Sequence, residues 1–250
     1  MPPPKRVLVV CRSFPAHRAG GMERHAQDVV DGLAARGWIV DVLTTPLPPR
    51  PALGPLRPSG ELLVAGRVPG KQDLAFWRDA ARIAEAHCKR FSVAIVHAQG
   101  FSGIAMRGAF LRARVISTVH GTLWSETPLD RRGGLRGAAR LAALWRFKHR
   151  VAFAPLWKRW LRSGPRVIVD SAFTARELRR EGLAREPAVV PLGFTMEGRW
   201  IEPRPALAPP GEIVLLAAGR LERTKGFHVL LDALPNDPRA RLVIAGDGAE

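Results

Sequence analysis

The sequence has few cysteines and no long hydrophobic run, and each shortage excludes a class of protein. Only Cys11 and Cys88 occur among 250 residues, which gives neither a disulfide framework nor the cysteine spacing of a metal site. No stretch approaches the roughly 20 apolar residues that a membrane-spanning helix needs. The apolar run Val7–Cys11 is too short for a signal peptide, so we expect a cytoplasmic protein with two ordinary thiols.

Acidic residues and lysines are also scarce, and the resulting positive charge is unevenly distributed. The formal net charge is +17, and only six of the 39 basic residues are lysine. Residues 131–166 hold eleven of the 39 and no acidic residue. Because an arginine-rich composition can reflect genomic base composition, and no nucleic-acid-binding module is recognisable, we expect no nucleic-acid partner.

Apolar runs alternate with amphipathic stretches along most of the chain. This alternation predicts an α/β fold with a Rossmann-like, doubly wound parallel sheet, which we place in a domain over residues 1–197. Four prolines within 198–210 indicate a linker. Residues 211–250 begin the strand-helix-strand pattern again, and one such unit cannot bury a core of its own. We therefore expect this second Rossmann-like domain to be incomplete.

Polar side chains follow several predicted strands, where ligands bind in open parallel sheets. His120 comes directly after a strand and before Gly121, and His97 follows the preceding strand in the same way. A lone histidine is more often structural than functional. Two at neighbouring strand ends favour a functional role, more for His120 than for His97, and the other five histidines have no special placement. Asp170 and Ser171 follow a later strand.

Two short segments have the features of phosphate-binding loops. Gly20 and Gly21 precede a predicted helix, where backbone N–H groups and the helix dipole attract anions, although a flexible turn explains the glycines as well. The loop is neither Gly-x-Gly-x-x-Gly nor a P-loop. Arg220 and Lys225 flank the start of a later helix, where two cations can hold a diphosphate, although cations in such loops are often merely solvated.

Taken in series, these segments resemble a family-4 retaining glycosyltransferase of the GT-B fold. The matching pieces occur in the family's order and leave out mainly residues 46–72 and 122–164. They are FPAHRAGGMERH (14–25), IVHAQG (95–100), STVHG (117–121), VIVDSAFTARELRREG (167–182), VVPLGF (189–194), AAGRLERTKGFHVLLDAL (217–234) and LVIAGDG (242–248).

The resemblance implies transfer of a sugar from a nucleotide-sugar donor to an acceptor, with retention at the anomeric carbon. Gly20 and Gly21 then match the loop near the donor phosphates, and His120 matches the catalytic histidine that contacts the transferred sugar. Arg220 and Lys225 match the pair that stabilises the leaving diphosphate. Because these two cations neutralise the charge of the diphosphate, no divalent metal and no cofactor are expected. Candidate residues on the acceptor side are His97 and Ser171.

The sequence departs from the family because the paired-glutamate motif of the donor domain is not present. We expect little or no transferase activity from this chain alone. The alternatives are a non-catalytic fragment or half of a split enzyme that needs a partner, and, less favoured, a basic nucleic-acid-binding protein. A sugar-nucleotide epimerase is disfavoured because the Arg220-x4-Lys225 spacing suits the transferases better.

The basic segment 131–166 suggests peripheral contact with the inner face of an anionic membrane. Arginines recur at helical spacing and tryptophans alternate with cations, a pattern that suits a membrane interface. This contact would fit a lipid-linked acceptor or the biosynthesis of an envelope polysaccharide. The alternative is a solvated helical face with its tryptophans packed inward. The residues expected at the membrane are Arg132, Arg136, Arg140, Arg146, Trp157 and Trp160.

Overall fold

The computed structural model describes residues 5–106, 113–123, 151–193, 211–234 and 237–248. The chain divides into two compact units, Met1–Thr195 and Met196–Glu250. The predicted linker 198–210 lies outside the described residues.

The first unit is built on seven strands. In chain order they are β1 Arg6–Val10, β2 Ile39–Thr44, β3 Leu62–Val64, β4 Val93–Gln99, β5 Arg114–Val119, β6 Arg166–Val169 and β7 Ala188–Val189. They form one sheet in the order β3-β2-β1-β4-β5-β6-β7, and each pair of neighbours is parallel. The predicted Rossmann-like, doubly wound sheet is confirmed.

Helices connect these strands, and short polar side chains define where two of them begin. The helices are α1 Gly21–Ala34, α2 Leu74–Arg90, α3 over residues 151–162 and α4 Ala172–Arg180, with a 3-10 helix at Gly100–Ile104. Asp73 caps α2 by accepting from the backbone N–H of Phe76 at 3.0 Å. The spacing of Thr174 and Glu177 predicts a cap at Thr174, but Ser171 performs it, because its hydroxyl accepts from the Thr174 N–H.

The core lies on both faces of the sheet. The side chains of Leu8, Val9 and Val10 in β1 are fully buried, as a strand covered on both faces requires. One cluster of apolar side chains packs between the sheet and α2, a second packs against α1, and a third surrounds α3 and α4.

The tryptophans of α3 belong to the third of these clusters. Trp157 is fully buried and Trp160 is only 8% exposed, and their rings stack at 5.1 Å. The indole N–H of Trp157 donates to the Glu181 carboxylate at 2.6 Å. The predicted membrane contact of these two tryptophans is therefore wrong, because their apolar surface is used inside the first unit.

The arginines predicted to contact the same membrane are not among the described residues. They are Arg132, Arg136, Arg140 and Arg146. None of the helices in the described part of the chain is long and apolar enough to cross a bilayer.

The second unit contains the predicted strand-helix-strand pattern. Strands β8 (Ile213–Ala218) and β9 (Ala240–Ala245) pair in parallel, and α5 (Phe227–Asp232) lies between them in sequence. Gly226, immediately before α5, adopts a φ of 74°. This left-handed conformation strains other residues and lets the chain turn directly from the 3-10 helix Arg223–Lys225 into α5.

Candidate functional site

The loop after β1 is held by a buried carboxylate on α1. Glu23 is only 3% exposed, and its Oε1 accepts from the Ser13 hydroxyl and from Nε of Arg18, each at 2.7 Å. Although burial raises the pKa of Glu23, these two donors hold it below its usual value. Glu23 therefore stays ionised and ties both ends of the loop to the first turn of the helix.

Gly20 and Gly21 lie at the start of α1 and differ in what surrounds them. The Glu23 carboxylate fills the space where a side chain at Gly20 would stand, whereas a Cβ at Gly21 would meet no atom. The N-cap residue Gly20 has no side chain to cap this helix, and the Glu23 carboxylate accepts from the backbone N–H of Glu23. The helix dipole favours an anion at this end, where the Glu23 carboxylate already lies.

His120 lies after β5, among groups from three neighbouring elements. Its Nε2 is 3.4 Å from Oε1 of Gln99, the last residue of β4, and its Nδ1 is 3.7 Å from Oδ2 of Asp170, which follows β6. The His25 ring of α1 contacts it edge-on, with 5.0 Å between the ring centres. Burial lowers the pKa of His120, and Asp170 opposes this effect. At neutral pH the imidazole is therefore uncharged.

The Asp170 carboxylate is oriented from its other side by α4. Its Oδ1 accepts from the Thr174 hydroxyl at 2.9 Å, and that hydroxyl lies 3.0 Å from the Ser171 hydroxyl. Ser171, a candidate acceptor-side residue, is therefore already engaged as the cap of α4. The cap residue Ser171, its neighbour Thr174 and the His120 partner Asp170 therefore form one connected set of polar groups.

A small cavity lies between the β1–α1 loop and His120. It has a volume of about 30 Å³, the space of one water molecule, and is lined by Ser13, Met22, Gln72, Gln99 and His120, among others. The buried Nε2 of Gln99 has no hydrogen-bond partner among the described residues. The site therefore offers an unused N–H donor next to the imidazole.

His97 lies within β4 rather than at its end. The strand continues to Gln99, and Nε2 of His97 is 2.8 Å from the Thr118 hydroxyl of β5. Burial, and then the neighbouring His25 and His120, lower the pKa of His97 to about 4. His97 is therefore a neutral, hydrogen-bonded member of the sheet.

The low pKa of His97 predicts a loss of stability in mild acid. Between about pH 6.5 and 4 the unfolded chain binds a proton at this position that the folded chain does not, so stability falls as the pH falls. We expect His97 to contribute a loss on the order of 3 kcal/mol by pH 4. Urea unfolding of wild type and His97→Gln from pH 7 to 4 measures it.

The comparison of these two proteins isolates His97, because His25 and His120 remain in both and their lowered pKa values act in the same direction. The His97→Gln protein should show a flatter dependence of stability on pH. Equal slopes for the two proteins would contradict the assignment.

In the second unit, Arg220 and Lys225 lie on the loop that follows β8. Arg220 is exposed and its Nη1 is 2.8 Å from the Glu222 carboxylate. Lys225 is exposed at the end of the 3-10 helix and has no ion-pair partner among the described residues. The backbone of this loop is anchored to the end of β9 and to the segment after it. The N–H groups of Gly219 and Leu221 donate to the carbonyls of Ala245 and Asp247.

The structure adds three residues to those expected from the sequence. The prediction that His25 has no special placement is wrong, because its ring contacts His120. Glu23 and Gln99 occur in the segments FPAHRAGGMERH and IVHAQG, yet their roles depend on partners in other elements. In each case the sequence identifies the segment that contains the residue. It does not identify which side chain of that segment points into the site.

The fold is similar to those of solved glycosyltransferase structures. Sucrose-phosphate synthase from Thermosynechococcus elongatus matches with a TM-score of 0.67 and 19% identity over 96% of this chain and 62% of that one. The lipopolysaccharide outer core galactosyltransferase WaaB matches at 0.58 and 14%, over 98% and 61%. The catalytic domain of starch synthase IV from Arabidopsis thaliana matches at 0.56 and 10%, over 98% and 69%. The chain thus spans about three fifths of the first two structures.

These likenesses show a Rossmann-like α/β fold. No curated protein matches the sequence. The family model of Glycosyltransferase Family 4 matches residues 19–197, and that of glycosyl transferases group 1 matches residues 198–250. Because the first match covers more than half of the chain, the chain belongs to Glycosyltransferase Family 4.

Proposed function

We propose that this protein takes part in transferring a sugar from a nucleotide-sugar donor to an acceptor, with retention at the anomeric carbon. The observation that carries the proposal is the position of neutral His120 at the carboxyl edge of the sheet, where it contacts His25 of helix α1. Membership of Glycosyltransferase Family 4 supports sugar transfer in general. A hexose is the sugar class that we propose.

In this reaction the neutral imidazole of His120 keeps its Nδ1–H directed at Asp170 and offers Nε2 as an acceptor to a hydroxyl group of the transferred sugar. The N–H groups at Gly20 and Gly21 bind a donor phosphate. Arg220 and Lys225 stabilise the negative charge that develops on the diphosphate as the glycosidic bond breaks. The nucleotide sugar is a substrate, and these cations make a divalent metal unnecessary.

For the acceptor we propose a sugar or a lipid-linked glycan of an envelope polysaccharide, bound on the side of His97 and Ser171. A lipid-linked acceptor requires contact with a membrane, and we propose the cytoplasmic face. The basic segment 131–166 supports this peripheral contact because it contains no acidic residue.

The test of the transfer reaction removes one cation of the proposed diphosphate site. In the protein that carries this chain, Lys225→Ala should lower kcat by about 100-fold while the KM for the donor changes little, because the charge it stabilises develops in the transition state. Rates with a panel of nucleotide sugars, and the anomeric configuration of the product by NMR, measure the effect.

The matched control is Lys89→Ala, which removes an exposed lysine of α2 that pairs with Glu85. It should transfer sugar at the wild-type rate. An unchanged rate for Lys225→Ala, an inverted product, or no transfer from any donor would each oppose the proposal.

A further inference from the structure

A larger cavity opens in the first unit beside the amino ends of β5 and β6. Its volume is about 580 Å³. Arg114 and Arg166 are the first residues of the two strands, and the cavity also takes in Arg159 of α3 and Arg185 from the loop after α4. His120 and Asp170 follow the opposite ends of these strands, so this cavity is separate from the candidate transfer site.

The four arginines have no carboxylate to neutralise them within the described part of the chain. All four side chains are exposed, and no ion pair is formed between any of them and a described residue. Nearby arginines behave differently, since Arg179 pairs with Glu186 and Arg180 pairs with Glu177. No acidic side chain occurs among the described residues that line the cavity. The cavity therefore has a strong positive potential.

The rest of the cavity wall is largely apolar. The apolar side chains that line it are Ile104, Met106, Ala113, Val115, Leu156, Trp160 and Pro165, and Ser117 and Ser163 lie among them. Trp160 also packs on Trp157, so this part of the wall belongs to the core. A ligand that fills the cavity must combine an anionic group for the arginines with an apolar part for the wall.

Cations continue beyond the cavity along the outer side of α3. A second groove of about 470 Å³ is lined by Lys158, Arg159 and Arg162 together with Val151 and other small apolar side chains. Arg159 lines both spaces. The combination of exposed cations and apolar surface therefore extends across one side of the helix, which matches the charge of an anionic lipid surface.

We propose that the four-arginine cavity binds the phosphate group of an anionic lipid. Guanidinium groups bind phosphate oxygens with two parallel N–H donors, and four of them surround the space. The apolar wall covers the start of the lipid's hydrocarbon part, where burial of apolar area adds to the affinity. Free phosphate would leave this wall empty. The proposal deepens the proposed membrane contact, on which it rests for access to lipid.

The experiment titrates the 250-residue chain with dihexanoyl phosphatidic acid, kept below its critical micelle concentration, by calorimetry. Arg114→Gln with Arg166→Gln should weaken binding by about 100-fold, since each lost charged hydrogen bond costs about tenfold. The matched control is Arg57→Gln with Arg82→Gln, which removes two exposed arginines outside the cavity and should bind like wild type. Thermal melting shows that each variant is folded.

The results separate the cavity from the wider membrane contact. Inorganic phosphate that binds as tightly as the lipid, lipid binding unchanged in the Arg114 and Arg166 variant, or no lipid binding would each overturn the proposal. A further variant with glutamine at Arg132, Arg136, Arg140 and Arg146 is tested on anionic and neutral vesicles. If it binds anionic vesicles like wild type, the membrane contact of segment 131–166 fails, whereas the soluble lipid still reports on the cavity alone.

Discussion

Replacing His120 by alanine should lower the rate of sugar transfer by about 100-fold to 1,000-fold, the usual cost of one preorganised polar group at a reacting centre. The imidazole is held between Gln99, Asp170 and His25 and is neutral at pH 7. Alanine removes the Nε2 acceptor that we assign to a sugar hydroxyl group. In the protein that carries this chain, steady-state rates of wild type and His120→Ala at saturating donor measure the loss.

If His120 has only a structural role, the pH profile of the rate should not follow its pKa. The Asp170→Asn variant tests this. The Asp170 charge raises the pKa of His120 against the effect of burial, so its removal should lower that pKa further. The rate is expected to fall as the pH drops through the His120 pKa, because protonation removes the acceptor. The acidic limb of the pH profile should therefore move to lower pH in Asp170→Asn. An unmoved limb would contradict the role of neutral His120.

Replacing Asp41 by alanine should cost about 3–5 kcal/mol of unfolding free energy, because it leaves buried partners unpaired. Asp41 is fully buried in β2. It accepts two hydrogen bonds from Arg6 at 2.8 and 3.0 Å and one from the Glu61 backbone at 2.8 Å, and its Oδ2 is 2.8 Å from Nε2 of His87. Urea unfolding measures the change.

The control for Asp41 is Asp28→Ala on the surface of α1. Asp28 also pairs with an arginine, Arg24, at 3.1 Å, but exposed pairs of this kind contribute only about 0.5 kcal/mol. Equal losses of unfolding free energy in the two variants would contradict the larger contribution that we assign to the buried Asp41. Because Asp41 is not among the residues of the candidate site, the rate per folded molecule should stay unchanged.

Much of the first unit follows from local sequence pattern. Apolar runs such as Val7–Val10 form strands because they are buried on both faces, and Asp73 caps α2 where helical spacing starts. The short edge strand Leu62–Val64 is not among the elements predicted from the sequence, although Leu62–Ala65 is a short apolar run. It forms by pairing with β2.

The inward packing of Trp157 and Trp160 depends on long-range contacts in the same way. Tryptophans among cations are compatible with both a membrane surface and a core, and the sequence pattern left the two alternatives open. The partner that decides between them is Glu181, which accepts from the Trp157 indole across 24 positions of sequence. The cations beside the tryptophans stay exposed and line the grooves around α3.

The sequence by itself determined the alternation of strands and helices, the family, and the segments in which functional residues occur, because all three depend on local order along the chain. Only the tertiary structure decided which side chains meet. His25 and His120 are far apart in sequence and touch because α1 packs beside the end of β5. The positive charge of residues 131–166 is also a local property of the sequence. The parallel strand order then brings Arg114 and Arg185 close to Arg159 and Arg166, and the four arginines line one cavity.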